Sequence, residues 1–92
     1  MKVNLNVNFR TYNGMETGDK IADVVAQALY NYGKDRPVKR EDKFLAWKVC
    51  MKVMQNPSEV EVTTEEATLI KEACGDILTA GGYGQIVELI EK

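Results

Sequence analysis

A chain of 92 residues, 45% hydrophobic and 28% charged, has room for one core, and its ordinary composition argues against disorder, fibrous repeats and low complexity. Its net charge of −2 falls far short of the basic signature of a dedicated nucleic-acid binder, although residues 1–40 hold seven Lys or Arg against four acids and residues 41–92 hold five against ten. No apolar run approaches the roughly 20 residues of a bilayer span and no leader-like apolar region opens the sequence, so neither membrane insertion nor secretion by that route is expected.

Val3, Leu5, Val7 and Phe9 alternate with Lys2, Asn4, Asn6, Asn8 and Arg10. This period of two places the apolar side chains on one face of a strand. Asn13-Gly14 supplies the dipeptide suited to the positive-φ positions of a type I′ turn, so Met15 to Thr17 is a possible short return strand. A lone hairpin is marginal in water, and its apolar face must be covered by the helices that follow. The opposite face is an uncharged ladder of Asn4, Asn6 and Asn8, a candidate for pairing with another copy or a partner if one strand edge is unprotected.

From about residue 19 the period becomes helical. Ile21, Val24, Val25, Ala28 and Leu29 form one stripe, ending at Tyr32 and Gly33, which predicts a helix over 19–32. Pro37 breaks the pattern and is acceptable near the start of the next helix, expected over 38–55 and stopped by Asn56-Pro57. That second helix is apolar around more than half its circumference, through Phe44, Leu45, Trp47, Val49, Cys50, Met51, Val53 and Met54. Such a helix is expected to be contacted on two sides, by the sheet and another helix or by a second subunit. Lys39, Lys43, Lys48 and Lys52 are expected to mark its solvated side.

Glu59 to Val62 alternates again, and an extended connector is favoured over a short strand. Thr63 and Glu66 have capping-box spacing, which starts a third helix over 64–79 with Ala67, Ile70, Ala73, Cys74, Ile77 and Leu78 inward. Ala80-Gly81-Gly82 reads as a break before a fourth helix over 83–91. The fold class is therefore α+β: an N-terminal strand or hairpin over about 2–17 packed against four helices in a single domain.

Candidate chemistry is sparse. The chain has no histidine to serve as the base of a hydrolase triad, and no DxDxDG or HExxH pattern to gather a metal. No catalytic residue, metal or cofactor is expected. The neighbouring acids Glu41 and Asp42, Glu59 and Glu61, and Glu65 and Glu66 read as solvated. Cys50 and Cys74 lie in helical apolar patterns without CxxC spacing. Buried free thiols, and with them a reducing cytoplasm, are expected. Gly81 to Gly84 precedes a helix but lacks a phosphate-loop ending, so a tight turn is preferred; Tyr83 within it either packs across the fourth helix or offers its hydroxyl to a partner. Lys34, Arg36, Lys39 and Arg40, just after Tyr30 and Tyr32, form the densest positive group. They would contact phosphates if the chain bound nucleic acid, but a solvated loop is favoured because Asp35, Glu41 and Asp42 neutralise much of the group. Phe44 and Trp47 are expected as core anchors rather than as an exposed hot spot.

Several segments taken together resemble small accessory proteins of bacteriophages and prophages: the β-leader Val3 to Gly14, the Lys-rich helix Lys43 to Met54, and the C-terminal Thr64-Glu65-Glu66, Leu69-Ile70-Lys71 and Gly84-Gln85-Ile86-Val87-Glu88-Leu89-Ile90-Glu91. The resemblance implies an accessory role, binding a host or phage protein or helping an assembly, and it implies no catalytic residue. The expected function is a non-enzymatic protein-interaction module, an adaptor or inhibitor in the cytoplasm of a bacterial or phage-infected cell. A small nucleic-acid-binding accessory protein using residues 34–40 is the alternative. A homo-oligomer is a further possibility, because a core this small gains stability by assembling.

Overall fold

The computed structural model describes residues 1–91. In chain order they form β1 (Lys2–Val3), β2 (Asn8–Arg10), β3 (Glu16–Lys20), α1 (Ile21–Tyr30), α2 (Arg40–Gln55), β4 (Val60–Glu61), α3 (Thr64–Gly75) and α4 (Ala80–Glu91). The class is α+β, with short strands in two antiparallel pairs and four helices. Lys2 lies opposite Glu61 and Val3 opposite Val60 in one pair. Asn8 lies opposite Lys20 and Arg10 opposite Glu16 in the other, with an irregularity between them.

The alternating N-terminal segment is thus two strands rather than one. Between them Asn4 Oδ1 accepts a hydrogen bond from the Asn6 backbone N–H at 2.9 Å, a local turn that competes with regular pairing. The break lets the chain leave β4 and join β3. Leu5 N–H donates to Pro57 O at 2.8 Å, while Leu5 O and Val7 O accept from Ala22 N and Ile21 N at 2.9 and 2.8 Å. The predicted facing survives: Val3 and Leu5 are buried, and Val7 and Phe9 pack partly buried on the core.

Several boundaries differ from the sequence expectation: α1 ends at Tyr30 rather than 32, and α2 begins at Arg40 rather than 38, with Pro37 left in the turn ahead of it. Val60–Glu61 is a strand, not a connector, because its partner is the chain start: Val62 N–H donates to Met1 O at 2.7 Å, and Val60 and Val62 are both buried. The return strand runs on to Lys20, so α1 begins at Ile21. Its turn is not type I′, which needs positive φ at both central residues. Gly14 alone is left-handed, at φ 87°, with its N–H bonded to Thr11 O at 2.9 Å and Thr11 N–H bonded to Met15 O at 2.8 Å. Finally, α3 stops at Gly75 and α4 starts at Ala80, placing Gly81 and Gly82 inside a helix and the turn at residues 76–79. Tyr83, expected in that turn, is a helical residue whose N–H bonds to Thr79 O at 2.9 Å.

The core lies among α1, α2 and α3, with Val25, Leu29, Val49, Val53, Ile70 and Cys74 buried and Ile86 closing it from α4. Cys50 and Cys74 are buried free thiols, as expected. Cys50 Sγ donates to Ala26 O at 3.3 Å, and burial pushes the Cys74 thiol up to about 12. Among the described residues no helix is long and apolar enough to cross a membrane.

The turn from α1 to α2 depends on Gly33, whose φ is 89° and whose added Cβ would lie 2.8 Å from Val38 Cγ2 and 2.9 Å from Lys43 Cε. Gly33→Ala is expected to cost about 1.5 kcal/mol from the left-handed backbone alone. Urea denaturation measures it, and an unchanged midpoint would refute this account of the turn.

Candidate functional site

At 3.6 residues per turn, α2 carries two apolar sets on adjoining faces, their centres about 130° apart. Ala46, Val49, Cys50 and Val53 face the core and are buried. On α1 the buried residues are Ile21, Ala22, Val25, Ala26, Ala28 and Leu29. Phe44, Trp47, Met51 and Met54, at spacings of three, four and three, fall within an arc of about 80° on the other face. Their exposures are 62%, 48%, 40% and 53%, and Tyr30 at the end of α1 adds another apolar side chain at 68%.

This corrects the expectation that Phe44 and Trp47 anchor the core. The inner arc of α2 is occupied by Ala46, Val49, Cys50 and Val53, and Phe44 and Trp47 lie outside that arc. The two rings instead pack on each other, with centroids 6.1 Å apart and planes 11° from parallel. Lys48 Nζ sits 5.4 Å from the Phe44 ring centroid. Alongside runs a groove of about 340 Å³ between α1 and α2, lined by Asp23, Ala26, Tyr30, Cys50, Met51 and Met54 among others. The sequence signal for this surface was the excess of apolar positions on α2, which no single helix face accommodates.

The basic segment is divided. Arg36 Nε donates to Asp76 Oδ2 at 3.0 Å, its Nη2 lies 3.9 Å from Glu72 Oε2, and its guanidinium carbon is 5.5 Å from the Tyr32 ring centroid. Tyr32 O–H donates to the same Glu72 oxygen at 2.7 Å. Burial and then the Glu72 bond raise the Tyr32 phenol, against a smaller opposing effect of Arg36. Arg36 is therefore held in an internal network. Lys34, Lys39 and Arg40 are exposed and make no ion pair among the described residues. Arg40 stands one turn before Phe44, and Lys34 and Lys43 border a depression shared with Trp47 and Tyr30.

The asparagines are tied to their own chain. Asn6 Nδ2 donates to Ser58 Oγ at 3.3 Å and Asn8 Nδ2 to Glu16 Oε1 at 2.8 Å, while Asn4 makes the turn described above. With the segment broken at residues 4–7, they form no continuous ladder. Each sheet has only two strands, so the free edges of β1 and β2 are two and three residues long. Tyr83 is partly buried against the core, and its ring lies where a Cβ on Gly75 would meet it at 3.4 Å. Gln85, which sequence reasoning passed over, docks the hairpin: its Oε1 accepts from Arg10 N at 2.8 Å and its Nε2 donates to Arg10 O at 3.0 Å. Lys52, expected on the solvated side of α2, instead donates to Glu61 O at 2.7 Å and to both Glu66 carboxylate oxygens at 2.8 and 3.0 Å. No group of three or more His, Cys, Asp or Glu side chains gathers in metal-holding geometry among the described residues.

No family model, curated protein or solved structure matches the chain. The outer surface of α2 and its surroundings are the candidate site.

Proposed function

We propose that this chain is a non-enzymatic protein-interaction module, an adaptor or inhibitor of phage or mobile-element origin, which docks a host or phage protein on the outer face of α2. The supporting observation is the exposed stripe of Phe44, Trp47, Met51 and Met54 beside Tyr30. With about 200 Å² per full side chain, the five exposures amount to on the order of 500 Å² of apolar surface. That stands toward the top of the roughly 300–600 Å² range for the largest patch on a typical monomer, and is more than half of the roughly 800 Å² per partner in a stable interface. Aromatic and methionine side chains are also the types enriched at the centres of such interfaces.

Trp47→Ala is expected to weaken partner capture about tenfold, a modest hot-spot effect, while leaving the unfolding midpoint nearly unchanged because the indole is half exposed. Pull-down from host lysate by wild-type and variant protein, with light scattering to fix the oligomeric state, measures both. A strictly monomeric protein that captures nothing, or one whose capture is indifferent to Trp47→Ala, would count against this docking face.

The nucleic-acid reading has one observation in its favour, the exposed cations Lys34, Lys39 and Arg40, which make no ion pair among the described residues. It loses Arg36 to the network with Asp76 and Glu72. It predicts an affinity that falls steeply with salt and drops in Arg40→Ala, and negligible binding at low salt would dispose of it.

A further inference from the structure

We infer that the occupant of the outer face of α2 is an amphipathic helix whose flanks carry carboxylates; this rests on the docking reading above and names its partner. Phe44, Trp47, Met51 and Met54 form a straight ridge about 15 Å long at helical spacing, bordered at Met51 and Met54 by the groove between α1 and α2 and at Trp47 by the depression shared with Lys34 and Lys43. A ridge with recesses along one flank is what the apolar stripe of another helix fits. Met51 and Met54, flexible and polarisable, suit apolar side chains of varied shape.

Charge selects among helices. Around the ridge stand Arg40, Lys43 and Lys48 on α2 and Lys34 in the preceding turn, none of them in an ion pair among the described residues. Against these four cations stand Asp23 beside Met54, Glu41 on α2 and Asp35 next to Lys34. The rim is thus net positive on a chain whose net charge is −2, so its sign runs against that of the whole molecule. Acidic flanks would complement it and speed encounter. A second copy of this chain meets the opposite situation, because a two-fold pairing sets one net-positive rim against another. Single-stranded nucleic acid would find cations and aromatic rings here, but half of the ridge is methionine and Phe44 and Trp47 already stack on each other.

Trp47 is the only tryptophan in the chain, so its fluorescence reports directly on this face. The probes are two synthetic amphipathic helices of about five turns with the same leucine stripe, one flanked by glutamate and one by lysine. The Glu-flanked peptide is expected to blue-shift Trp47 emission and to bind about tenfold more tightly than the Lys-flanked one near 0.05 M salt, the difference shrinking near 0.5 M. The exposed double variant Lys43→Glu/Lys48→Glu is expected to reverse the preference. Equal binding of both peptides, or tighter binding of the Lys-flanked one, overturns the acidic partner while leaving helix docking intact. Quenching by an oligothymidine strand with no response to either peptide makes nucleic acid the occupant. A blue shift that grows with protein concentration alone, together with a dimer by light scattering, makes it a second copy. Either result overturns the inference. Silence of Trp47 toward every probe and at every concentration overturns the docking reading as well.

Discussion

Leu5→Ala is expected to lower the free energy of unfolding by about 3 kcal/mol, the cost of emptying a fully buried leucine site that relaxes only in part. Leu5 has no solvent exposure and sits where the chain passes from one sheet to the other. Its backbone is fixed from both sides, by Pro57 O accepting from its N–H and by Ala22 N–H donating to its carbonyl. These bonds hold the vacated space open and resist collapse around the smaller side chain. A domain of this size has only about 5–10 kcal/mol of stability in all, so the shift in urea midpoint is large. Phe44→Ala is the control, since it removes a larger side chain that is 62% exposed and is expected to change stability by less than about 0.5 kcal/mol. If Leu5→Ala cost under about 1 kcal/mol, the N-terminal segment would not be packed as described. If Phe44→Ala cost as much as Leu5→Ala, the outer face of α2 would be covered within the chain, and the docking surface would vanish.

These two residues also mark what the sequence could and could not convey. Alternation over Val3 to Phe9 records which side chains point inward, and they do. It does not record whether the backbone stays in one ladder, because that depends on the Asn4 side chain competing for the Asn6 N–H and on partners remote in sequence. Val60–Glu61 is the same case from the other side: two residues are too few to show a period, and the strand exists only because Lys2–Val3 lies beside it. The Thr63–Glu66 capping box was legible because all its groups lie within one turn. Gly81 and Gly82 misled because glycine's preference for breaks is weaker than the packing of the helix it sits in. Trp47 misled for a related reason. Size and apolarity argue for burial, but α2 has more large apolar side chains than its inner face can hold, and Ala46, Val49, Cys50 and Val53 occupy that face. The surplus itself was readable, and it implied a second contact surface; which residues formed it required the neighbouring helix.

Glu66→Ala is expected to cost about 2 kcal/mol at neutral pH, because one carboxylate serves two attachments. Its Oε1 accepts from the Thr63 N–H at 2.9 Å while the Thr63 hydroxyl accepts from the Glu66 N–H at 3.1 Å, closing the cap of α3. Alanine keeps the Thr63 hydroxyl on its own N–H and loses the reciprocal carboxylate bond, at about 1 kcal/mol. Both oxygens also take Lys52 Nζ, which in addition bonds Glu61 O, so the same clasp joins α2, β4 and α3. The Glu66 side chain is only 12% exposed, but Lys52 is at 39%, and solvent holds this share near 1 kcal/mol. Glu66→Gln is expected to lose about half as much, since glutamine can still accept from Thr63 N–H at the cap. The pH dependence reports both attachments, because each holds the ionised carboxylate. Burial alone would raise the Glu66 pKa, but the Lys52 bond and the Thr63 backbone bond outweigh it and hold the pKa below the ordinary value of 4.5. A lowered folded-state pKa stabilises the fold above the unfolded value, and that stability is lost as pH falls through the folded pKa. The gap between wild type and Glu66→Gln, measured by urea denaturation, is therefore expected to be full at neutral pH and to close as pH falls below 4.5 and through the folded pKa. Lys52→Met has the complementary signature: burial acts on Glu66 without its cation, the carboxylate's pKa rises, and the variant's deficit narrows on acidification as that carboxylate takes up its proton. A gap between wild type and Glu66→Gln that stayed constant across this range would mean that neither Lys52 nor the Thr63 N–H favours the ionised carboxylate over the neutral amide.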